Sequence, residues 1–324
     1  MLRLFGPDCL PKPIDPAHPE HLASAVWIDL LGPTREEEAL AEKLIGQNIP
    51  TRAEMMEIEP SSRLYEKNGV VFMTMSVLYG VDEGKPSTDP ISFILTGTHL
   101  VTLRYVDPKP FVAFTSHAHA DPDLTRKPLT VCIRLLDAVV DRLADELEAA
   151  GRELEAISNH IFERRARSER RNPELRYEVL MIRIGEVQRL LARSRESSVS
   201  TSRVLGFLSA CDVVIAEESH SRHLQSLLAD SRALDDHSDF LAENLNFLLD
   251  ASLGMISLEQ NLVMKIFSVV AVVLMPPTLI AGIYGMNFEH MPELRWLFGY
   301  PFSILVMTAS AILPYMFARK RGWL

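Results

Sequence analysis

The stretch KIFSVVAVVLMPPTLIAGIYGMNFEHMPELRWLFGY (residues 265–300) decides the fold, because it sets a short polar segment between two long apolar runs. No Asp, Glu, Lys or Arg occurs from residue 266 to 288, or from residue 296 to 318, so each run is 23 residues long. A helix rises ~1.5 Å per residue, so either run can cross a hydrocarbon core roughly 30 Å thick. The alternative, a buried hairpin in a soluble protein, is disfavoured because core helices seldom exceed roughly 14 uncharged residues. Two membrane spans are therefore predicted.

The basic residues predict the orientation of these spans. Lys265 precedes the first run, and Arg319, Lys320 and Arg321 follow the second. Positive residues mark the cytoplasmic side of a membrane, so both ends of the pair are expected in the cytoplasm and the loop between them outside. The N-terminal sequence MLRLFGPDCLPKP lacks an apolar core long enough for a signal peptide. We therefore expect the large N-terminal part to stay in the cytoplasm and the chain to lie in the cytoplasmic (inner) membrane.

The net charge of −10 is unevenly distributed along the chain. Residues 261–324 contain five Lys or Arg and two Asp or Glu, a net of +3, so the remainder carries −13. An acidic cytoplasmic part disfavours nucleic acid and anionic lipid as its partners and suits cations. A solvated acidic surface is the alternative. The three cysteines (Cys9, Cys132 and Cys211) are far apart and suit a reducing compartment, where we interpret them as small apolar residues.

The N-terminal residues 1–125 show the pattern of an α/β domain. Residues 24–31, 70–79, 90–97 and 99–106 are apolar runs bounded by Gly, Pro and Asp, which is typical of strands. Between the first two runs, Thr34 with Glu37 three residues later predicts a helix start, and Gly46 predicts its end.

From Pro128 onward the apolar residues recur at helical spacing. A second long helix is predicted after Asn172, with Pro173 at its first position. A third begins at about Asp236 and continues without a break through the first span to about Tyr284. Helices of this length need neighbours, so residues 126–263 are expected to form a stalk or funnel.

A second stripe of residues lies along the third helix, at steps of three, four or seven that keep to one face. Its members are small, polar or thioether-bearing: Asp250, Gly254, Ser257, Asn261, Met264, Ser268, Met275, Thr278 and Gly282. Small residues also favour plain helix packing in membranes, but packing does not explain Asp250 and Asn261. Several copies of this helix around an axis would enclose a pore. Pro276 and Pro277 free the carbonyls of Val272 and Val273, which either water in a pore or a neighbouring helix could satisfy.

The first span ends at the sequence YGMN (284–287), where Gly285 permits a sharp turn and Asn287 offers amide oxygens. Magnesium gives up its water reluctantly, so neutral oxygens around the hydrated ion would suit it. Glu289 and Glu293 in the loop would raise the local concentration of cations.

These segments resemble the CorA family of divalent-cation channels. The likeness rests on GMN (285–287), MPEL (291–294), FGYP (298–301), the tail RKRGWL and the upstream sequence EQNLVMKIFSVVAVVLMPPTLIAGIYGMN, together with AVWIDLLGP and TRAEMMEIE near the N-terminus. The resemblance implies a homopentamer with a funnel-shaped cytoplasmic domain, held shut by magnesium bound between subunits. It assigns the selectivity mouth to Gly285, Met286 and Asn287. The implied pore-lining residues and gate are Asn261, Met264, Phe267, Met275, Thr278 and Gly282, with Asp250 as an acidic ring. Phe267 is a departure, because relatives often carry an aliphatic residue there.

The expected architecture is thus an α+β membrane protein that assembles into a homopentameric channel. It comprises a cytoplasmic α/β domain (1–125), a long-helix stalk (126–263), a pore-lining span (264–286), an external loop (287–296), a second span (297–318) and a basic cytoplasmic tail (319–324). Regulatory carboxylates are less defined, and the candidates are Asp82, Asp89, Asp230 and Asp236.

Two histidine pairs are candidates for binding zinc or cobalt. His117 and His119 have His-x-His spacing, which a polar loop also explains, and His220 and His223 share a helix face. The sequence contains no Walker phosphate loop, dinucleotide fingerprint or nucleophile elbow, so no enzyme is predicted. The expected function is potential-driven uptake of Mg²⁺, with Co²⁺ or Ni²⁺ as further cargo. The alternatives are a zinc transporter of the same superfamily, which His290 favours and which could be proton-coupled, and a membrane-anchored metal sensor without transport.

Overall fold

The structure is a computed structural model that describes residues 1–6, 24–57, 59–120, 122–162, 173–215, 217–286, 291 and 296–321. The chain divides into two compact units, Met1–Leu248 and Leu249–Leu324. The strands are β1 (Leu2–Phe5), β2 (Trp27–Leu31), β3 (Leu64–Lys67), β4 (Val70–Tyr79), β5 (Ser87–Leu95) and β6 (Leu100–Arg104). The helices are α1 (Arg35–Ile45), α2 (Arg52–Met55), α3 (Pro60–Arg63), α4 (Lys109–Ala120), α5 (Pro128–Phe162), α6 (Pro173–Ser209), α7 (Asp212–Ile215), α8 (Glu218–Tyr284) and α9 (Gly299–Lys320), with a 3₁₀ turn at Pro122–Thr125.

The first unit is built on one mixed sheet in the order β1-β2-β6-β5-β4-β3. Strands β2 and β6 pair in parallel, and the other neighbours pair antiparallel. One face of the sheet, including Trp27 and Phe93, packs on the long helices, and the other face, including Ile28, packs on α1 and α2. The mixed sheet with helices on both faces agrees with the predicted α/β fold, but its core includes helices beyond residue 125, and the compact unit extends to Leu248.

The start of α1 follows the capping box that the sequence predicts. The Thr34 hydroxyl accepts a hydrogen bond from the Glu37 amide, and the Glu37 carboxylate accepts one from the Thr34 amide at 2.8 Å. Gly46 ends the helix in the left-handed region with φ of 67°.

The long helices share a core with the sheet. Their buried apolar residues include Leu136 of α5, Leu205 of α6 and Leu224 of α8. Helix α8 begins at Glu218, well before the predicted start near Asp236, so that boundary was wrong. At ~1.5 Å per residue its 67 residues span about 100 Å.

Helices α8 and α9 are each long and apolar enough to cross a membrane. Only 6% of the apolar window of α8 and 11% of that of α9 is buried inside the chain. A core helix of a soluble protein would be mostly buried, and a signal sequence would lie near the N-terminus. Neither description fits these two helices, which supports the prediction of two spans.

Candidate functional site

The predicted pore residues of the second unit lie on one exposed face of α8. Met264, Phe267 and Met275 are 66%, 69% and 68% exposed. Met275, Thr278 and Gly282 line one shallow groove along the helix, together with Ala271, Leu274, Leu279, Ile283 and Met286. At 3.6 residues per turn, this face is opposite Val269, which is buried. Most of the stripe seen in the sequence therefore lies on one surface of the helix, whereas its member Ser268 lines the cavity beside α9.

The opposite face of α8 packs against α9. Val269 of α8 and Ala318 of α9 are both nearly fully buried, and a small cavity of about 90 Å³ lies between the two helices. Val272 and Val273, whose carbonyls Pro276 and Pro277 leave without their helical hydrogen bonds, line this cavity.

The hydroxyl groups along this stretch are bonded to their own helix. Thr278 Oγ1 donates to the Leu274 carbonyl at 2.8 Å, and Ser268 Oγ donates to the Met264 carbonyl at 2.9 Å. With its proton used in this way, the Thr278 hydroxyl offers lone pairs to the exposed face. Asn261 and Asp250, further toward the N-terminus of the helix, are also exposed. An exposed face of thioethers, oxygen acceptors and one carboxylate suits a hydrated cation.

Helix α8 ends at Tyr284, as the sequence predicts. The Gly285 amide donates to the Ala281 carbonyl at 2.9 Å, and a Cβ at Gly285 would approach that oxygen to 3.1 Å. This close approach favours glycine at position 285. Among the described residues the glycines with positive φ do not include Gly285, so the helix ends there without a left-handed residue. Asn287, Glu289 and Glu293 lie outside the described residues, as do His290, Asn172 and Cys9.

The candidate regulatory aspartates do not converge. Asp82 contacts Lys109 Nζ at 2.6 Å and Arg142 at 3.5 Å, and the hydrogen bond from Lys109 lowers the pKa of Asp82 despite some desolvation. Asp89 lies 3.7 Å from Arg52, and burial raises its pKa. Asp230 and Asp236 lie on α8. Among the described residues, no three His, Cys, Asp or Glu side chains are placed to hold a metal ion.

A row of aspartates that the sequence reasoning missed lies on α5. Asp137, Asp141 and Asp145 follow at steps of four, and Asp230 of α8 is close enough to act on the same group. Partial burial raises the pKa of Asp141, and the charges of these three neighbours raise it further. The four-residue spacing in the sequence was the available signal, but the approach of Asp230 depends on the tertiary fold.

The histidine candidates are placed against polar neighbours. His117 lies within α4, so the interpretation of this segment as a polar loop was wrong, and the side chain of His119 lies outside the described residues. His220 Nδ1 is 2.6 Å from Glu217, and its Nε2 is 3.1 Å from the Thr130 hydroxyl. His223 Nε2 is 3.5 Å from Asp137.

Cys132 and Cys211 are both buried and free. Burial raises the pKa of the Cys132 thiol to about 12, and burial also raises the pKa of the Cys211 thiol. Thiols with raised pKa values are poor nucleophiles and metal ligands. Their surroundings therefore agree with the interpretation of both as small apolar residues.

Comparison with known proteins gives a family for this arrangement. A family model described as "CorA-like Mg2+ transporter protein" matches residues 23–320. The chain is 32% identical over 305 residues to the "Magnesium transport protein CorA" of Yersinia pseudotuberculosis, covering 94% of both proteins. It is 31% identical over 303 residues to the protein of that name from Escherichia coli (strain K12), covering 94% of the chain and 93% of the relative.

The fold is also similar to that of a solved structure. The complete structure of the CorA magnesium transporter from Methanocaldococcus jannaschii superposes with a TM-score of 0.77 at 18% identity. The match covers 100% of this chain and 99% of the other. The likeness therefore extends over the sheet, the long helices and both candidate spans.

Proposed function

Because the chain belongs to the CorA-like Mg²⁺ transporter family, a family of transporters and not of enzymes, we propose that it transports Mg²⁺ across a membrane. The observation that carries the proposal is the exposed face of α8 opposite α9, which places Met264, Met275, Thr278 and Gly282 on one surface. Leu274, Leu279 and Ile283 line the same groove, so the proposal rests on the thioethers, the hydroxyl and the glycine that lie among them. An ion path requires oxygen acceptors and narrow apolar rings.

One chain supplies two spans, so the path is formed by several copies. We assign it to a homopentamer in which the exposed face of each α8 turns to a common axis. The path is lined by Asn261, Met264, Phe267, Met275, Thr278 and Gly282. Asp250 forms an acidic ring at its cytoplasmic end. Gly285, Met286 and Asn287 form the outer mouth, where neutral oxygens hold hydrated Mg²⁺ and the loop carboxylates of Glu289 and Glu293 attract it.

The direction of transport is inward across the cytoplasmic (inner) membrane, with both termini in the cytoplasm. The membrane potential contributes ~2.3 kcal/mol per charge per 100 mV, or about twice that for a divalent ion. Co²⁺ and Ni²⁺ carry the same charge and are the further ions that we expect to pass.

Intracellular Mg²⁺ regulates this path. Five copies of the acidic part would bring together about −65 of charge, which favours cations between subunits. Bound Mg²⁺ holds the assembly closed, and its loss at low concentration lets the subunits separate. Met264 and Met275 then widen from a dewetted constriction into an open path. Each ion shifts this equilibrium only by its preference for the closed state.

The experiment that tests transport uses the purified full chain in liposomes containing a Mg²⁺-sensitive dye. Uptake of Mg²⁺ is expected to rise when an inside-negative potential is applied, and Co²⁺ and Ni²⁺ are supplied separately. Zn²⁺ uptake in place of Mg²⁺ uptake would support the zinc-transporter alternative, and coupling to a proton gradient would show in the same vesicles. Binding of Mg²⁺ without flux of any ion would favour the sensor and contradict the proposal.

A further inference from the structure

Helix α6 is attached firmly to the sheet through two of its serines. Strand β3 pairs with residues Val70–Met73 of β4, and no other strand of the described residues pairs with the rest of that edge. The Ser76 amide donates to Ser200 Oγ at 2.9 Å, and the Leu78 amide donates to Ser197 Oγ at 3.2 Å. The hydroxyls of α6 thus satisfy the backbone donors that an edge strand would otherwise leave open.

A second row of serines on α6, Ser194, Ser198 and Ser202, follows at steps of four, and Ser202 contacts α8. Ser202 Oγ is 2.7 Å from Ser231 Oγ and donates to Asp235 Oδ2 at 3.1 Å. Arg195 lies about two turns before Ser202, and its Nη1 is 2.7 Å from Oδ1 of Asp239, which lies about two turns after Ser231. The two helices therefore run antiparallel, with Ser198 at the level of Asp235.

This second row is incompletely hydrogen-bonded. Ser194 and Ser198 are both 0% exposed, and within the described part of the chain neither hydroxyl has a hydrogen-bond partner. The same holds for Asp235 Oδ1. Burying a polar atom without a partner is unfavourable, so each such atom makes the packing at its position less stable.

The contacts among the long helices also indicate that α8 is held less tightly than α6. Helices α5 and α6 approach each other closely along much of their length, whereas α8 approaches neither as closely. Ser231 of α8 contacts Ser202, and Ser238 follows seven residues later on the same face; both are buried where leucines occupy the turns before and after them. Small hydroxyl side chains interlock less than leucines and exchange hydrogen-bond partners readily, so this contact resists displacement weakly.

We propose that the serine seam, formed by Ser194, Ser198 and Ser202 of α6 with Ser231, Asp235 and Ser238 of α8, is a yielding interface. The part of α8 within the first unit detaches there and shifts, while α6 stays fixed to β4. Helix α8 continues without interruption to Tyr284, so this is the segment of the stripe-bearing helix that moves. The consequence for transport rests on the proposed function, whereas the seam itself does not.

The seam is tested by hydrogen–deuterium exchange of the full chain in lipid nanodiscs. The double variant Ser194→Ala/Ser198→Ala removes two buried hydroxyls that lack partners, and amide exchange in residues 224–248 is expected to slow by about five- to tenfold. The matched control is Ser197→Ala, an adjacent serine of equal burial whose loss leaves the Leu78 amide unpaired. It should accelerate exchange in β4. Unchanged or faster exchange in residues 224–248 of the double variant would overturn the proposal.

The consequence for transport is tested by a reversible crosslink. The two Oγ atoms are 2.7 Å apart, so Ser202→Cys with Ser231→Cys, in a Cys9→Ala background, places two sulfurs within reach of a disulfide. Oxidation should slow exchange in residues 224–248 and lower Mg²⁺ uptake into liposomes by at least about fivefold, and reductant should restore both. Slowed exchange with unchanged uptake would overturn the regulatory role. Absence of uptake even in reduced protein would instead contradict the proposed function. In that case the exchange rates of residues 224–248 would still test whether the serine seam is a yielding interface.

Discussion

Asp29 and Arg104 are both fully buried, and Arg104 Nη2 lies 2.7 Å from Asp29 Oδ2. Asp29 also accepts from the Thr102 hydroxyl, which in turn accepts from the Trp27 indole at 2.9 Å. Burial lowers the pKa of Arg104, but the hydrogen bonds and charges of Asp29 and Asp107 outweigh it and raise the pKa overall. The parallel strands β2 and β6 are thus joined by a buried network in which each polar group depends on the others.

Asp29→Ala would leave the Arg104 guanidinium buried without its main partner. We expect a loss of about 3–5 kcal/mol in the free energy of unfolding. The matched control is Asp239→Ala, which removes another Asp–Arg pair whose side chains are 50% and 58% exposed, and it should cost less than about 1 kcal/mol. Denaturant unfolding of the full chain in detergent, followed by circular dichroism, measures both. Equal losses in the two variants would show that burial does not decide the strength of these pairs.

Asn287 is the residue on which selectivity is expected to depend. Asn287→Ala removes the side-chain oxygen at the proposed mouth and should abolish Mg²⁺ uptake into liposomes while the protein still assembles. Size-exclusion chromatography checks the assembly. Wild-type flux in this variant would remove Asn287 from the mouth.

At the scale of whole elements, the sequence predicted best where one physical signal was sufficient. Strand β4 occupies residues 70–79, as predicted. Both of its faces are buried, so its sequence is almost entirely apolar, with only Thr74 and Ser76 interrupting it. Strand β1 was missed because it has four residues, and β3 because its four residues are half exposed. The stripe on α8 was predictable because steps of three and four fix one face of any helix.

The early start of α8 was missed for a reason connected with the serine seam. Ser231 is 1% exposed, so the buried face of this stretch includes a residue that sequence reasoning counts as polar. The apolar period is therefore interrupted in the sequence although the helix continues. The aspartate row was missed in a similar way, because the approach of Asp230 to α5 is a tertiary contact that spacing alone does not reveal.

Two glycines allow a matched prediction about elements. Gly151 lies inside α5, and a Cβ there would meet Leu241 at an ordinary 3.7 Å. Gly151→Ala should therefore stabilise the protein by about 1 kcal/mol through helix propensity. Gly80 has φ of +71°, and a Cβ would lie 2.6 Å from the Lys85 carbonyl oxygen. Gly80→Ala should destabilise the protein by more than about 1 kcal/mol. Opposite signs in denaturant unfolding are expected, and a destabilising Gly151→Ala would contradict the packing described for α5.

At the scale of the whole molecule, the separation of charge is the dominant feature. The part before residue 261 carries −13 and the remainder +3, so the proposed assembly of several copies would concentrate negative charge in the N-terminal part. The raised pKa of Asp141 shows this repulsion within a single chain, beside the larger contribution of burial. Counterions at these surfaces would therefore affect both stability and assembly.

The regulatory proposal predicts a specific effect of Mg²⁺ on this part. Protection of the full chain against limited proteolysis should increase with millimolar Mg²⁺, and more than with Na⁺ at equal ionic strength, because a divalent ion can bridge carboxylates on neighbouring copies. Removing Mg²⁺ with a chelator should reverse the protection. Equal protection in both salts would mean that the charge is only screened and serves solubility.

The central claim, that the face of α8 opposite α9 lines the ion path, is tested most directly by thiol accessibility during transport. Met275→Cys places a thiol on that face, and Met316→Cys places one on α9, where the native side chain is 61% exposed. Both are made in a Cys9→Ala background, since Cys132 and Cys211 are buried. A charged, water-soluble thiol reagent applied to liposomes carrying out Mg²⁺ uptake should block flux through Met275→Cys and leave Met316→Cys unaffected. Unchanged flux through a fully labelled Met275→Cys protein would contradict the account.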